Sequence, residues 1–475
     1  MKLTRFENIA SKFSPSFAVK RAKKRMILDN IRKYDGASRT KRNKNWRVTD
    51  TSKDEEVRGA SKILRDRARD LYNNNPYAKR GVDVIVNNTI GSGIIPDFID
   101  DNLEKQFKLW TSQSDYHGRS NFYSMQSLMM ETIVRDGEVL IRRHRKRSSD
   151  GLALPLQIEL IEPDFLALDK NGSLDNGNTI IMGVEYDSKN QRKAYHLYEE
   201  RPGSLSFSNK TFRVSARNII HGFKVERPNQ SRGITWLHAI MQRLRDFDDW
   251  EDSQLIKMKL STCFMGFIRE SEVSDEEIME EEEDYSLEPG TMKKLPPGTD
   301  IEFPDLPKIE GLTEYNKNVL HSIAVGLGIT YQQLTNDLSS VNYSSIRAGH
   351  LEFQRNLVSW RKHTVYPILE EIIKWVIEAG NLQGIPGNSE YSFTPPRREM
   401  IDPVKEIPAL SQAIRSGLMS WSEVQRAQGN DPEAKALEIQ KDFNRFDKLK
   451  LVLDIDPRQV QKNGAIQKED VNNED

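Results

Sequence analysis

TWLHAIMQRLRDFDDWEDSQLIKMKLSTC, residues 235–263, reads as one long helix. Leu237, Ile240, Leu244, Phe247, Leu255 and Met258 keep an apolar seam at the spacing of an amphipathic helix. Arg243, Asp246, Asp249, Asp252, Lys257 and Lys259 fill the other side. Such a helix has one buried stripe and much charged surface.

Outward from it, the C-terminal direction changes character at once. Residues 271–290, SEVSDEEIMEEEEDYSLEPG, are acidic, with no Lys or Arg between Arg269 and Lys293. A like-charge run this dense repels itself and sits in solvent, or it docks a basic partner. LPPGTDIEFPDLP (295–307) is extended or turn-like. A shorter helix is predicted over 314–327, ending near Gly328. TYQQLTNDLSSVNYS (330–344) is polar and reads as a loop. A long helix follows over 345–379, with Leu351, Leu357, Val358, Val365, Leu369, Ile372, Ile373 and Val376 as its seam and a kink at Pro367. Helices over 403–416 and 420–428 and a disordered tail complete this half.

Toward the N-terminus the order is helix, then strand. Ile63, Leu64, Ala68, Leu71 and Tyr72 mark an amphipathic helix stopped by Asn73-Asn74-Asn75-Pro76. A second helix runs from Tyr77 to Ile90, and Gly91-Ser92-Gly93 is a turn. Further helix is predicted through Phe107, Leu109 and Trp110 and over 125–134. Asp136-Gly137-Glu138 is a turn that releases a strand, VLIRRHRKR. Strands are also predicted over 156–160, 180–186, 192–198 and 219–221, with a hairpin turn over 187–191. The fold class expected is α+β.

Composition bounds the function. One cysteine, Cys263, permits neither an internal disulfide nor a cysteine zinc site, so assembly in a reducing compartment is expected. No window offers the roughly 18–20 uncharged apolar residues of a membrane span. The start, MKLTRFENIASKF, lacks the apolar core of a signal peptide. With Gly counted in place of Tyr, the apolar share is about 40%, against a usual 45–50% or so. An elongated subunit, or one with wet inter-subunit surfaces, fits that figure. Formal net charge is −1, yet residues 1–48 hold fifteen Lys/Arg against Glu7, Asp29 and Asp35. That +12 arm is either a polyanion-binding segment or a solvated terminus. There is no P-loop, H-E-x-x-H or G-x-S-x-G motif. The eight histidines are never closer than thirteen residues, which favours structural histidines over ligands.

Several phrases occur in an order that resembles the lambda-type portal proteins of tailed bacteriophages. They are RARDLYNNNPYAKRGVDVIVNNTIGSGIIP (67–96), RDGEVLI (135–141), LQIELIEPDFL (156–166), GVEYDSKNQRKAYHLYEERPG (183–203), IIHGFKVERPNQSRGITWLHAIMQRLRD (219–246) and, beginning FTPPRREMIDPVKE, residues 393–433. None is catalytic; their collinear order over roughly 55–435 carries the likeness. The resemblance implies a portal fold: a basic arm (1–53), wing (54–233), stem helix (234–263), clip (264–310), second stem helix (311–328), tunnel loop (329–344), long wing helix (345–392), helical crown (393–455) and tail (456–475). It implies a ring of usually twelve subunits at a capsid vertex, assembled in the bacterial cytoplasm, and no enzyme activity, cofactor, metal or membrane. The partners implied are further copies of the chain, the terminase large subunit, a head–tail connector, the major capsid or scaffolding protein, and double-stranded DNA bound without sequence preference.

Two sets of site residues follow from the resemblance. Asn336, Asp337, Ser339, Ser340 and Asn342 would face DNA in the tunnel loop, offering weak, interchangeable contacts. The loop carries no Lys or Arg, and each cationic phosphate contact would add affinity that holds a duplex in place. Glu276, Glu277, Glu280, Glu281, Glu282, Glu283 and Asp284 would meet a partner at the clip, or line the channel exit and repel DNA. The rival expectation is a DNA-processing enzyme, a metal-dependent nuclease anchored by the basic arm.

Overall fold

The computed structural model describes residues 50–204, 207–263, 267–270, 299–302, 312–339, 341–385, 390–397 and 402–451, with single positions 20, 21, 400 and 453. The chain divides into two units, Met1–Glu55 and Glu56–Asp475. Most of the basic arm, all seven acidic residues of the expected clip, and the expected tail lie outside the described residues.

Helix α1 (Lys53–Asn74) buries Val57, Ser61, Arg65, Ala68 and Leu71. Ile63, expected on the seam, is 54% exposed. The buried stripe is turned so that Arg65, not Ile63, faces inward, because carboxylates wait there. Helix α2 (Pro76–Thr89) starts where Asn75 Oδ1 accepts from the Ala78 N–H at 2.8 Å, with Pro76 supplying the preset first turn. The Gly91-Ser92-Gly93 turn follows, and a Cβ on Gly93 would collide with Tyr123. It delivers β1 (Ile95–Phe98), which pairs antiparallel with β12 (Tyr391–Thr394). Helices α3 (Asp101–Trp110) and α4 (Phe122–Asp136) complete the first helical layer. Leu109 is 59% exposed, whereas Leu103, Phe107 and Trp110 are buried.

Gly137 ends α4 in the left-handed conformation (φ 97°), where a Cβ would strike the Ile234 backbone. The chain then enters β2 (Glu138–Arg145), the middle strand of a three-stranded antiparallel sheet with β3 (Leu156–Ile161) and β9 (Ile219–Phe223). A second sheet is a meander of β4 (Gly172–Ser173), β5 (Thr179–Ile181), β6 (Val184–Tyr186), β7 (Arg192–Tyr198) and β8 (Thr211–Ser215). The expected strand over 180–186 is thus two, split at Met182-Gly183, and both of those residues have positive φ. A small core of Leu140, Ile161, Val184, Tyr195, Leu197 and Val214 lies between the sheets, and a larger one joins the helices.

A 3₁₀ turn (Trp236–Ala239) leads into α5 (Met241–Cys263). Leu237, Ile240, Leu244 and Phe247 are buried as expected, but Leu255 and Met258 are 50% and 58% exposed. Past Phe247 the apolar seam runs on at the surface. Helix α6 (Leu312–Leu327) buries Leu320, Ile323, Ala324 and Leu327 and stops at Gly328 (φ 70°). Between these helices, β10 (Phe267–Glu270) and β11 (Thr299–Glu302) pair antiparallel.

The expected single long helix is α8 (Tyr343–Trp360), a π turn (Arg361–Val365) and α9 (Tyr366–Leu382). Tyr366 N–H donates to Arg361 O, five residues back. Pro367 has no N–H to offer the preceding turn, and the wider π turn absorbs that loss. The extra residue rotates the two halves against each other. Leu357, Val365, Leu369, Ile372, Ile373 and Val376 are buried as predicted, whereas Leu351 and Val358 are exposed and Phe353 is buried in α8 instead. Past β12 come α10 (Pro403–Arg415), α11 (Trp421–Ala427) and α12 (Pro432–Leu449). The last was not predicted, although Asp431 and Pro432 form a readable start: Asp431 Oδ1 accepts from Glu433 and Ala434.

Candidate functional site

The segment expected as one polar loop begins with a helix. Thr330 and Gln333 form a reciprocal capping box: Gln333 N–H donates to Thr330 Oγ1 (3.2 Å) and Thr330 N–H to Gln333 Oε1 (2.9 Å). Helix α7 (Tyr331–Thr335) buries Tyr331 and Leu334, and Tyr331 stacks on His321 of α6 at 4.3 Å between ring centroids. The polar composition of 330–344 hid two apolar anchors at i and i+3. The loop itself is residues 336–342.

Within it, the side chains of Asp337, Ser339 and Asn342 have local partners. Asn336 caps α7 in the left-handed conformation (φ 57°), which asparagine tolerates. Asp337 Oδ1 accepts from Ser339 N–H (3.0 Å) and Ser339 Oγ (2.6 Å), and the Asp337 N–H donates to Thr335 Oγ1 (3.1 Å). The Ser339 hydroxyl and amide hold the Asp337 carboxyl below its ordinary range. Asn342 Oδ1 accepts from Ser345 N–H (2.9 Å) and caps α8. Ser340 lies outside the described residues. These side chains shape the loop itself. Leu338 is 60% exposed at its tip.

The sequence reading also missed a cation. Arg80 of α2 donates from Nε to Gln333 O (3.0 Å) and from Nη2 to Asn336 Oδ1 (2.9 Å). A groove of about 210 Å³ opens here, lined by Arg80, Gln332, Asn336, Leu338, Ile346 and His350 among others. The loop has no Lys or Arg of its own, but one reaches it from 256 residues away in sequence.

A second polar constellation lies under α1. Glu138 accepts from Arg232 Nε (2.8 and 3.0 Å), Arg65 Nη2 (3.2 Å), the Gly233 N–H (2.8 Å) and His221 Nε2 (2.8 Å). Arg65 and Arg69 each donate to Asp164 at 2.6 Å, and Arg69 chelates Asp136 at 3.0 and 3.1 Å. Arg232 also donates to Met182 O (2.9 Å). Burial alone would raise Glu138, but Arg232 and His221 outweigh it and keep the carboxylate ionised far below its ordinary range. Burial pushes His221 down to about 4 despite Glu138, so the imidazole is neutral and donates from Nε2. Likewise His196 is paired with Glu185 at 3.1 Å. Reading Asp136-Gly137-Glu138 as a turn found the backbone and missed the chemistry. The available signal was Arg65 and Arg69, four apart, with Arg65 on the apolar stripe.

Among the described residues no three His, Cys, Asp or Glu side chains are grouped to hold a metal ion, and no helix is long and apolar enough to cross a membrane.

Comparison with known proteins gives a family. The family model described as "Phage portal protein, lambda family" matches residues 39–361. The "Probable portal protein" of Halomonas phage phiHAP-1 is 28% identical over 460 residues, covering 88% of this chain and 87% of that protein. "Portal protein B" of Escherichia phage lambda is 20% identical over 342 residues, covering 62% and 63%. Among solved structures, a chain in the neck of an empty gene transfer agent particle, computed with C6 symmetry, has a TM-score of 0.49 at 14% identity over 77% of this chain and 93% of that one. The comparisons lend no support to a nuclease.

Proposed function

The chain belongs to the lambda family of phage portal proteins, and on that premise we propose that its copies close into a ring whose channel passes double-stranded DNA. The observation that carries the ring is α5. Its apolar seam runs on beyond Phe247 to Leu255, Ile256 and Met258, all half exposed in the single subunit. Contiguous exposed apolar surface marks an interaction site, and neighbouring copies of the same helix would cover it. Residues 234–263 and 311–328 are then the stem, 264–310 the clip and 329–344 the tunnel-loop region.

In this reading residues 336–342 face DNA. Asp337, Ser339 and Asn342 serve the loop's own turns and caps, and Arg80 is engaged with Gln333 and Asn336. A surface so occupied touches a duplex without gripping its phosphates. Glu276, Glu277, Glu280, Glu281, Glu282, Glu283 and Asp284 would give the clip an acidic face for the terminase or the head–tail connector. The particle's portal vertex is the site of action.

Negative-stain imaging of the purified chain tests the ring: annular particles with a central hole are expected, and a monomer at every concentration and salt would reject it. Deleting residues 336–342 should leave rings intact and impair DNA packaging or retention. Loss of rings would make the loop structural instead.

A further inference from the structure

Helix α2 touches the loop near one end and the π turn at the other. Arg80, in its second turn, holds Gln333 O and Asn336 Oδ1 with two arms of one guanidinium, at 3.0 and 2.9 Å. At the far end Arg361, the first residue of the π turn, donates from Nε to Thr89 O (2.8 Å) and from Nη2 to Asn88 O (2.6 Å). Those carbonyls are among the last of α2, which have no partner within the helix, and they carry the negative end of its dipole. Between the two arginines the helix has little slack. Gly81 lies so close to Leu327, at the end of α6, that a Cβ there would collide with it.

We infer that Arg80 and Arg361 are positioning residues, and that through them α2 is a two-ended clamp tying residues 336–342 to the π turn of the long helix. The fork geometry is the reason for arginine at both places. One planar guanidinium reaches two acceptors in fixed directions, which an ammonium cannot do. The loop's place is therefore set from the wing as well as from the helices that flank it in sequence. A shift at the π turn would be passed along a rigid 14-residue helix to the loop. The consequence for DNA rests on the DNA-facing reading; the clamp does not.

The test is hydrogen–deuterium exchange on the assembled full-length chain, read at peptides covering 336–342 and 86–90. Arg80→Ala should speed exchange at 336–342 about tenfold, the size expected for loss of a hydrogen-bonded corner. Arg80→Lys should recover only part of that protection. Arg361→Ala should speed exchange at both peptides. Unchanged exchange at 336–342 in Arg80→Ala overturns the clamp. A response to Arg361→Ala confined to 86–90 overturns the coupling. If Arg80→Ala does not fold, Asn336→Ala removes the same contact from the loop side and should act in the same direction, more weakly. DNA retention in particles carrying Arg80→Ala is scored separately. Faster loop exchange with unchanged retention upholds the clamp and rejects the DNA-facing reading.

Discussion

The ionic cluster under α1 and the loop after α7 are both built from polar side chains, and they use them in opposite ways. Under α1, Arg65, Arg69 and Arg232 meet Asp136, Glu138 and Asp164 across 67 to 99 residues of sequence. Arg65, Arg232, Asp136 and Glu138 side chains are all under 5% exposed. In the loop, Asp337 pairs with Ser339 two residues on, and Asn342 with Ser345 three residues on, at the surface. Buried long-range pairs fix how elements sit together, because leaving one partner unpaired is costly. Local exposed pairs fix only the path of the backbone, and water can replace them. One region thus holds the subunit in a single arrangement, while the other gives a surface a shape.

Breaking the cluster should have the largest effect. Glu138→Gln leaves the buried Arg232 without its charge partner, takes one of two carboxylates from Arg65, and should destabilise the fold by about 3–5 kcal/mol. A chemical unfolding curve, or loss of soluble chain, reads this; an unchanged midpoint would mean the cluster is dispensable. Next comes acid. His221 is neutral when folded, with a pKa near 4, against about 6.5 unfolded. The unfolded chain therefore binds the extra proton between those values, and the stability this residue contributes is lost as pH falls from 6.5 towards 4, by up to about 3 kcal/mol. His221→Gln should flatten that slope. Asp97 works the other way. Burial pushes it up to about 6, even though the Thr394 hydroxyl donates to it at 2.5 Å. Its contribution is complete below its ordinary value and lost as pH rises through 6. Asp97→Asn should steepen the net loss on acidification, which separates the two groups.

The loop should respond less. Asn342→Ala removes the cap of α8 and should cost about 1 kcal/mol, seen as faster amide exchange over 343–346 with the global midpoint barely moved. Ser339→Ala removes one exposed donor to Asp337 and should cost no more than about 0.5–1 kcal/mol, read as local exchange at 337–339 alone. A global loss of stability from either would dissolve the contrast between the two regions.

Much of the fold was legible because helix and strand periods are local. The seam of α5 from Leu237 to Phe247, the hairpin over 187–191, the Gly91-Ser92-Gly93 turn and the stop at Gly328 all follow from neighbouring residues. Tyr331 and Leu334 were hidden because five residues are too few to show a period. Leu351 and Val358 were misplaced because a π turn shifts the phase of a helix without leaving a mark in composition. The site was less legible still: its residues were named, but the partners that occupy them were not.

Sequence alone determined the order of the main helices and strands, the α+β class and, through the collinear phrases, the family. Those depend on short-range spacing and on the order of motifs along the chain. Only the tertiary structure decided which polar residues meet. Nothing in the local sequence places Arg80 on Asn336, Arg361 on the end of α2, or Arg232 on Glu138. Burial decides the last of these, because a charge withdrawn from water must find its partner wherever the chain has brought one; the first two are decided by where the fold sets the ends of α2.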